Sequence, residues 1–379
     1  MDRLSHNKLQ LEKRAEKFAS EVIAKKGEAI LSDSFPLDIW QKLGEEGFLG
    51  IGLPKKFGGL GEDSLSITFV GRALTAYGNN LGISLSWMIH NALARYFVFK
   101  FGKPKQRKTI LPLLSSGTNT VVFAVSEPKT GGHPKYLKTT ALRHGLEYVI
   151  NGEKTLLTNG PIADLFIVIA VTSQEKEKKS FTAFLVPKDI KGLTITEFIK
   201  FDALKPAPHC GIRLENCIIP AENIIGKKDC AYELMVKPFR DIEDTLMMGP
   251  IAGIISAQLK MAVSILLNTS KEVSDKLMED LGTLQSQIHT LTLLAYESAK
   301  IIDNKWVHPE TLTFPFTFRW LASNAQTMID ELLFQQEVNV PLLMKALSKD
   351  VHTILKIAEN VRQIKLRQQG VKLFKSMLI

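Results

Sequence analysis

Residues 165–172 read Leu-Phe-Ile-Val-Ile-Ala-Val-Thr, an unbroken apolar run of strand length. The next apolar run is Ser-Phe-Thr-Ala-Phe-Leu-Val-Pro at 180–187, across the charged segment QEKEKKS at 174–180, which reads as a hairpin tip. Upstream lie VVFAVSE at 121–127 and LEYVING at 146–152, and downstream LTITEFI at 193–199. These short apolar or alternating runs are bounded by Gly, Pro, Asn and Lys, so residues 119–230 form a β region that Gly226 to Asp229 closes.

Outside this region the apolar period lengthens. Leu9 to Ile30 carries its charges on one face, Phe35-Pro36 interrupts the pattern, and Trp40 to Gly47 resumes it. Gly58, Gly59 and Gly61 mark a tight loop before helical patterns continue to about Phe101. Beyond Ala231, residues 245–269, 281–303, 318–334 and 342–359 repeat with spacing near 3.6, which suggests a four-helix bundle. The expected fold is α+β: a helical domain at 1–118, a β-barrel-like domain at 119–230, and a helical bundle at 231–379.

With 379 residues, 45% of them hydrophobic and 23% charged, the chain has the composition of a globular protein with two or three cores. Cys210, Cys217 and Cys230 show no paired spacing, which argues against a disulfide framework or a zinc site and for a reducing, cytoplasmic setting. The first 18 residues are charged throughout and lack the apolar core of a secretory signal. Thr245 to Leu259 carries no charge but is short for a membrane span and contains Pro250, so it reads as a core helix. The net charge of +9 favours a polyanionic partner such as a nucleotide cofactor. Its basic residues are scattered, which speaks against nucleic acid.

Several motifs stand in a fixed order. Gly47-Phe48-Leu49-Gly50-Ile51 precedes Pro54 and Phe57-Gly58-Gly59-Leu60-Gly61. Gly102, Gln106, Leu111-Pro112 and Ser116-Gly117 lead into Ala124-Val125-Ser126-Glu127-Pro128. Then come Ile150-Asn151-Gly152-Glu153-Lys154, Thr158-Asn159-Gly160, and Leu214-Glu215-Asn216 with Ile219-Pro220-Ala221-Glu222-Asn223. Together these resemble the acyl-CoA dehydrogenase family over residues 35–230. The resemblance implies an FAD flavoprotein oxidoreductase that removes hydrogens from the CH–CH group of an acyl-CoA thioester in fatty acid metabolism. It also implies an oligomer built through the bundle, and an electron acceptor that the sequence does not name. Ser126 and Thr158 match the two hydroxyls that border the flavin ring in the family, and Leu156 replaces the Trp that packs on it. A second reading of Ser126 and Thr158 is that they satisfy local backbone groups at strand ends.

Departures from the family pattern are equally plain. Lys129-Thr130-Gly131-Gly132-His133-Pro134 lacks the Ser that contacts the thioester, leaving His133 to touch a phosphate or to be simply solvated. The family's Arg-x-Ser-x-Thr becomes Lys205-Pro206-Ala207-Pro208-His209, where Lys205 keeps the charge without the Arg fork. No Arg lies between Arg240 and Arg319 to hold a pyrophosphate. Lys271 and Lys276 are the basic residues offered from Asn268 to Asp280. Gln335-Gln336-Glu337-Val338-Asn339-Val340-Pro341 stands in place of a glycine-rich turn, and its bulk and the charge of Glu337 oppose a dinucleotide.

The C-terminal Tyr-Glu-Gly-Thr that carries the base in the family is not found. By resemblance to the isovaleryl-CoA dehydrogenases, Glu243 on the first bundle helix is the remaining base. Asp241 and Asp244, two residues before and one after it, would face elsewhere. The plainer reading makes all three acids decoration of a helix N-terminus. Three functions remain: a divergent FAD enzyme, a non-catalytic subunit paired with an FAD-complete paralogue, or a nucleic-acid-binding relative.

Overall fold

The structure, a computed structural model, describes residues 3–176, 178–269, 274–303, 313–335, 338–357 and 359–376. Lys271, Gln336 and Glu337 lie outside the described residues.

The N-terminal layer is helical: α1 (Arg3–Phe18), α2 (Leu37–Glu45), α3 (Ser64–Gly78), α4 (Leu81–Leu93) and α5 (Pro104–Ser115). Helical turns continue past α1 to Ile30 but break at Gly27, whose φ of +52° a helix does not accept. The Phe48 motif is a packing element. Its carbonyl accepts from Trp87 Nε1 at 2.7 Å and Asn91 Nδ2 at 3.0 Å, both on α4. A Cβ at Gly59 would lie 2.1 Å from the Leu53 carbonyl oxygen, so this chain crossing tolerates only glycine.

The middle layer is one eight-stranded sheet: β1 (Val121–Ala124), β2 (Thr140–His144), β3 (Glu147–Thr158), β4 (Leu165–Glu175), β5 (Lys178–Pro187), β6 (Leu193–Ile195), β7 (His209–Pro220) and β8 (Ile224–Ile225). The order is β6-β7-β3-β2-β4-β5-β8, with β1 parallel to β4. β4 explains its own sequence. Phe166, Val168 and Ala170 join the core within the sheet, while Ile167, Ile169 and Val171 join the helical core on the other face. A strand covered on both faces has no reason to alternate. β2 was not among the strand runs read from sequence; it pairs antiparallel with β3 although Leu142 at its centre is exposed.

The C-terminal layer holds α6 (Lys237–Thr269), α7 (Asp275–Asp303), α8 (Phe314–Gln335), α9 (Leu342–Lys356) and α10 (Glu359–Ser376). The first four pack as the bundle, and α10, which buries none of its described side chains, adds a fifth helix that the apolar pattern did not separate. α6 touches α3, α4, α7, α8 and α9. It is long and apolar enough by composition to cross a membrane, and 61% of its most apolar window is buried inside this structure. Where α6 crosses α3, a Cβ at Gly253 would stand 2.1 Å from Thr75 Oγ1, and Thr75 Oγ1 donates to the Pro250 carbonyl at 2.8 Å. One hydrophobic cluster therefore runs from α1 through the sheet's outer face into the bundle.

Candidate functional site

The site is built around the chain leaving β1. Glu127 is 6% exposed, and its carboxylate accepts from Lys138 N at 2.7 Å, Thr139 N at 2.9 Å and Lys154 Nζ at 2.9 Å. Lys154, fully buried, also donates to the Val125 carbonyl at 3.0 Å. Burial pulls the Lys154 ammonium down to about 8, against the opposing attraction of Glu127. Two of these bonds close the 125–139 loop on itself, and the two from Lys154 Nζ tie it to β3. Sequence reading had placed both residues in motifs without pairing them; the signal was a Lys in a strand whose alternate positions are apolar.

The cinched loop presents Ser126. Its carbonyl accepts from Thr155 N at 2.8 Å, which sets it beside Leu156, and its hydroxyl has no partner among the described residues. Leu156 is 52% exposed at φ +58°. Two residues on, Thr158 is half-buried, and its Oγ1 lies 3.0 Å from His209 Nε2. Ser126, Leu156 and Thr158 therefore lie along one stretch of wall. Ser126 and Leu156 have a free hydroxyl and an uncovered apolar side chain, which fit the edge and face of a flat ring. Thr158 is already engaged by His209, the last residue of the Lys205-Pro206-Ala207-Pro208-His209 departure from the family pattern.

The proposed substrate residues stand apart from each other. His133 is exposed, its ring 5.0 Å from that of Tyr136. Lys205 Nζ pairs with Asp33 Oδ1 at 3.1 Å, so its charge is committed to the N-terminal layer, and its carbonyl accepts from Asn80 Nδ2 at 3.0 Å. Lys205 and His209 line the same small recess together with Phe201 and Phe198.

Glu243 lies one helical turn beyond Phe239, which packs against Phe97 and against Phe123 of β1. Its carboxylate meets Arg240 Nη1 at 3.1 Å, and a quarter of its side chain still reaches solvent. Burial pushes the Glu243 carboxyl above its usual range; Arg240 opposes this and Asp244 adds to it. The expectation that Asp244 faces elsewhere needs correcting. Arg240 Nη2 also binds Asp244 Oδ1 at 2.6 Å, because positions three and four residues apart share a helix face with Arg240. Asp241 does turn away, to Lys365 Nζ at 2.5 Å. Arg319 reaches Asp244 at 2.8 Å and caps α9 through the carbonyls of Ile354, Leu355 and Ile357. Beside them, Glu359 at the start of α10 binds Arg362 at 2.5 Å, which holds its carboxyl below the usual range.

Val338 and Val340, from the segment that stands in place of the family's glycine-rich turn, lie along a groove of about 1160 Å³ between α8 and α9, whose other lining includes Phe334, Met344, Lys345 and His352. Residues 335–341 contain no glycine.

Two family models match, the acyl-CoA dehydrogenase N-terminal domain over residues 5–118 and the acyl-CoA dehydrogenase middle domain over 122–217. The chain belongs to the acyl-CoA dehydrogenase family. It is 28% identical over 261 residues to an acyl-CoA dehydrogenase of Bacillus subtilis (strain 168), covering 69% of this chain and 68% of the relative. It is 31% identical over 258 residues to a mitochondrial isovaleryl-CoA dehydrogenase of Oryza sativa subsp. japonica, covering 67% and 62%. Butyryl-CoA dehydrogenase from Megasphaera elsdenii superposes with a TM-score of 0.84 at 21% identity, covering 97% of this chain and 98% of that one, a likeness of fold. The sequence alignments span only 54% to 68% of the first curated relatives' own lengths. Similarity to acyl-CoA dehydrogenases is therefore strongest in the two layers that the family models cover.

Proposed function

We propose that the protein is a divergent, FAD-dependent acyl-CoA dehydrogenase-type oxidoreductase that holds flavin weakly. The observation that carries this reading is the Ser126 hydroxyl, left without a partner among the described residues on a loop held by the buried Glu127–Lys154 pair. The bonding behind this hydroxyl supports reading it as a presented group over a strand end satisfying itself. When bound, FAD would supply the electron sink. Ser126, Leu156 and Thr158 would border its ring, the exposed His133 would meet a phosphate of CoA, and Lys205 would do so on leaving Asp33. Glu243 would take the α-proton, its basicity raised by burial. The relatives' printed names, acyl-CoA and isovaleryl-CoA dehydrogenases, support an acyl-CoA substrate.

A second reading, a non-catalytic subunit of a hetero-oligomer with an FAD-complete paralogue, is favoured by one specific observation. Glu243 and Glu359, two carboxylates beside Arg319, are both held by arginines. The deciding experiment is anaerobic addition of butyryl-CoA and of isovaleryl-CoA to the purified chain reconstituted with excess FAD. Loss of the oxidised flavin absorbance supports the first reading. Unchanged absorbance with both, together with restored bleaching only when a complete paralogue is added, supports the second.

A further inference from the structure

We propose that His209 fixes Thr158 as a hydrogen-bond acceptor toward the ring slot, so that this wall takes reduced flavin in preference to oxidised flavin. The inference rests on the flavin reading above and adds to it a selectivity between redox states.

The argument is a count of protons. The Ala207 carbonyl can only accept, and it lies 3.0 Å from His209 Nδ1, so Nδ1 carries the hydrogen. His209 is 8% exposed, and burial lowers its pKa, so the imidazole is neutral and Nε2 holds a lone pair. Thr158 Oγ1 stands 3.0 Å from that lone pair and must donate to it. A hydroxyl has one hydrogen. What Thr158 can still offer outward is a lone pair, and a ligand group meeting it must be a donor.

The imidazole is held where it is. Thr158 and His209 are paired residues of β3 and β7. The His209 carbonyl accepts from Ile199 N at 2.8 Å, and the Phe201 ring meets the imidazole edge-on with centroids 4.9 Å apart. The charged groups lining the same recess are Asp33, Lys200 and Lys205. Both lysines pair with Asp33, at 3.7 and 3.1 Å, so the recess presents no free carboxylate to draw a proton onto His209. Ser126, by contrast, keeps a freely rotating hydroxyl and can serve either kind of partner.

A flavin distinguishes these situations, because the family resemblance implies that the edge of the ring carrying N5 borders Thr158. Oxidised isoalloxazine presents a lone pair at N5, whereas the dihydro form presents N–H there. Against an acceptor-only Thr158, the first arrangement leaves two lone pairs opposed and the second makes a hydrogen bond. Leaving a buried polar group unpaired is costly, so reduced flavin should bind about tenfold tighter, which is about 1.4 kcal/mol. For a two-electron couple, tenfold corresponds to about +30 mV in the potential of the bound flavin.

The first measurement needs no flavin. In the full chain with ¹⁵N-labelled histidine at pH 7, His209 should show a protonated Nδ1 and an unprotonated Nε2, its signals assigned by their loss in His209→Gln. A protonated Nε2 would overturn the proposal whatever the flavin does. The second measurement is anaerobic titration with FAD and with dithionite-reduced FAD. Tighter binding of the reduced form, with the ratio collapsing towards one in His209→Ala, supports the proposal. Equal affinities in the native protein, or a ratio unchanged in His209→Ala, overturn it while leaving the flavin reading intact. Binding of neither form, with the expected tautomer in place, overturns the flavin reading and takes the proposed ligand with it.

Discussion

Lys154 Nζ sits 2.9 Å from Glu127 Oε1, with the two side chains 0% and 7% exposed. A charged pair this deep stabilises only while both members are present, because either one alone is a buried charge without a counter-ion. Lys154→Met should cost about 3–5 kcal/mol, and the double variant Lys154→Met/Glu127→Leu should recover much of that loss. Urea denaturation of the three proteins checks it. Equal stability of the single and double variants would mean that the pair contributes little.

Asp350 of α9 is 2% exposed, accepts from Leu204 N at 2.5 Å through Oδ1, and leaves Oδ2 without a partner among the described residues. Burial raises its carboxyl from 3.8 to about 7. An acid whose folded pKa is raised contributes most below its unfolded value and loses that contribution as pH rises through its folded value. Stability should therefore fall between about pH 4 and pH 7 and level off above. Asp350→Asn keeps the acceptor and removes the charge, so it should melt higher than the native protein at pH 8 and lose that advantage at pH 4. A pH-independent difference in melting temperature would exclude Asp350 as the titrating group.

Glu243 and Glu359 differ in electrostatics more than in place. Burial raises the first, and Arg362 lowers the second. In FAD-reconstituted protein that is reduced by an acyl-CoA, Glu243→Gln should slow flavin reduction by about 10²–10⁴-fold, while Glu359→Gln leaves it within a few-fold. Stopped-flow absorbance reads both rates. The reverse ranking would move the base to α10.

FAD should not survive purification at full occupancy. Losing one charge-assisted arginine contact costs about 1.5–3 kcal/mol, one to two decades in affinity, and the bulky 335–341 segment adds to that. Gel filtration of protein expressed alone should return well under one flavin per chain. A stoichiometric yellow protein would show that some other group holds the pyrophosphate.

The three layers were legible because each keeps its own period. The unbroken run at 165–172 gave β4 in spite of its lack of alternation, since few structures other than a strand covered on both sides fit so short a run. β2 escaped because Arg143 and His144 at its end and the exposed Leu142 leave no pattern to read. Ser126, Leu156 and Thr158 could be found as motif positions. The hydrogen bond from Thr158 to His209 could not, because it joins residues 51 apart whose pairing depends on the register of β3 against β7. The convergence of Arg240 and Arg319 on Asp244 escaped for the same reason, since 75 residues separate Asp244 from Arg319.

The glycine crossing of α6 over α3 limits how the chain can be taken apart. Gly249 and Gly253 bring α6 so close to α3 that a side-chain atom at either would collide with its backbone or with Thr75. The first and last layers are thus two halves of one interior, although 175 residues separate Thr75 from Pro250 in sequence. A bundle expressed without the N-terminal helices would present a glycine-lined furrow to water, and its melting curve should lose its sharpness. The intact chain should instead melt in a single step, with calorimetric and van't Hoff enthalpies in agreement.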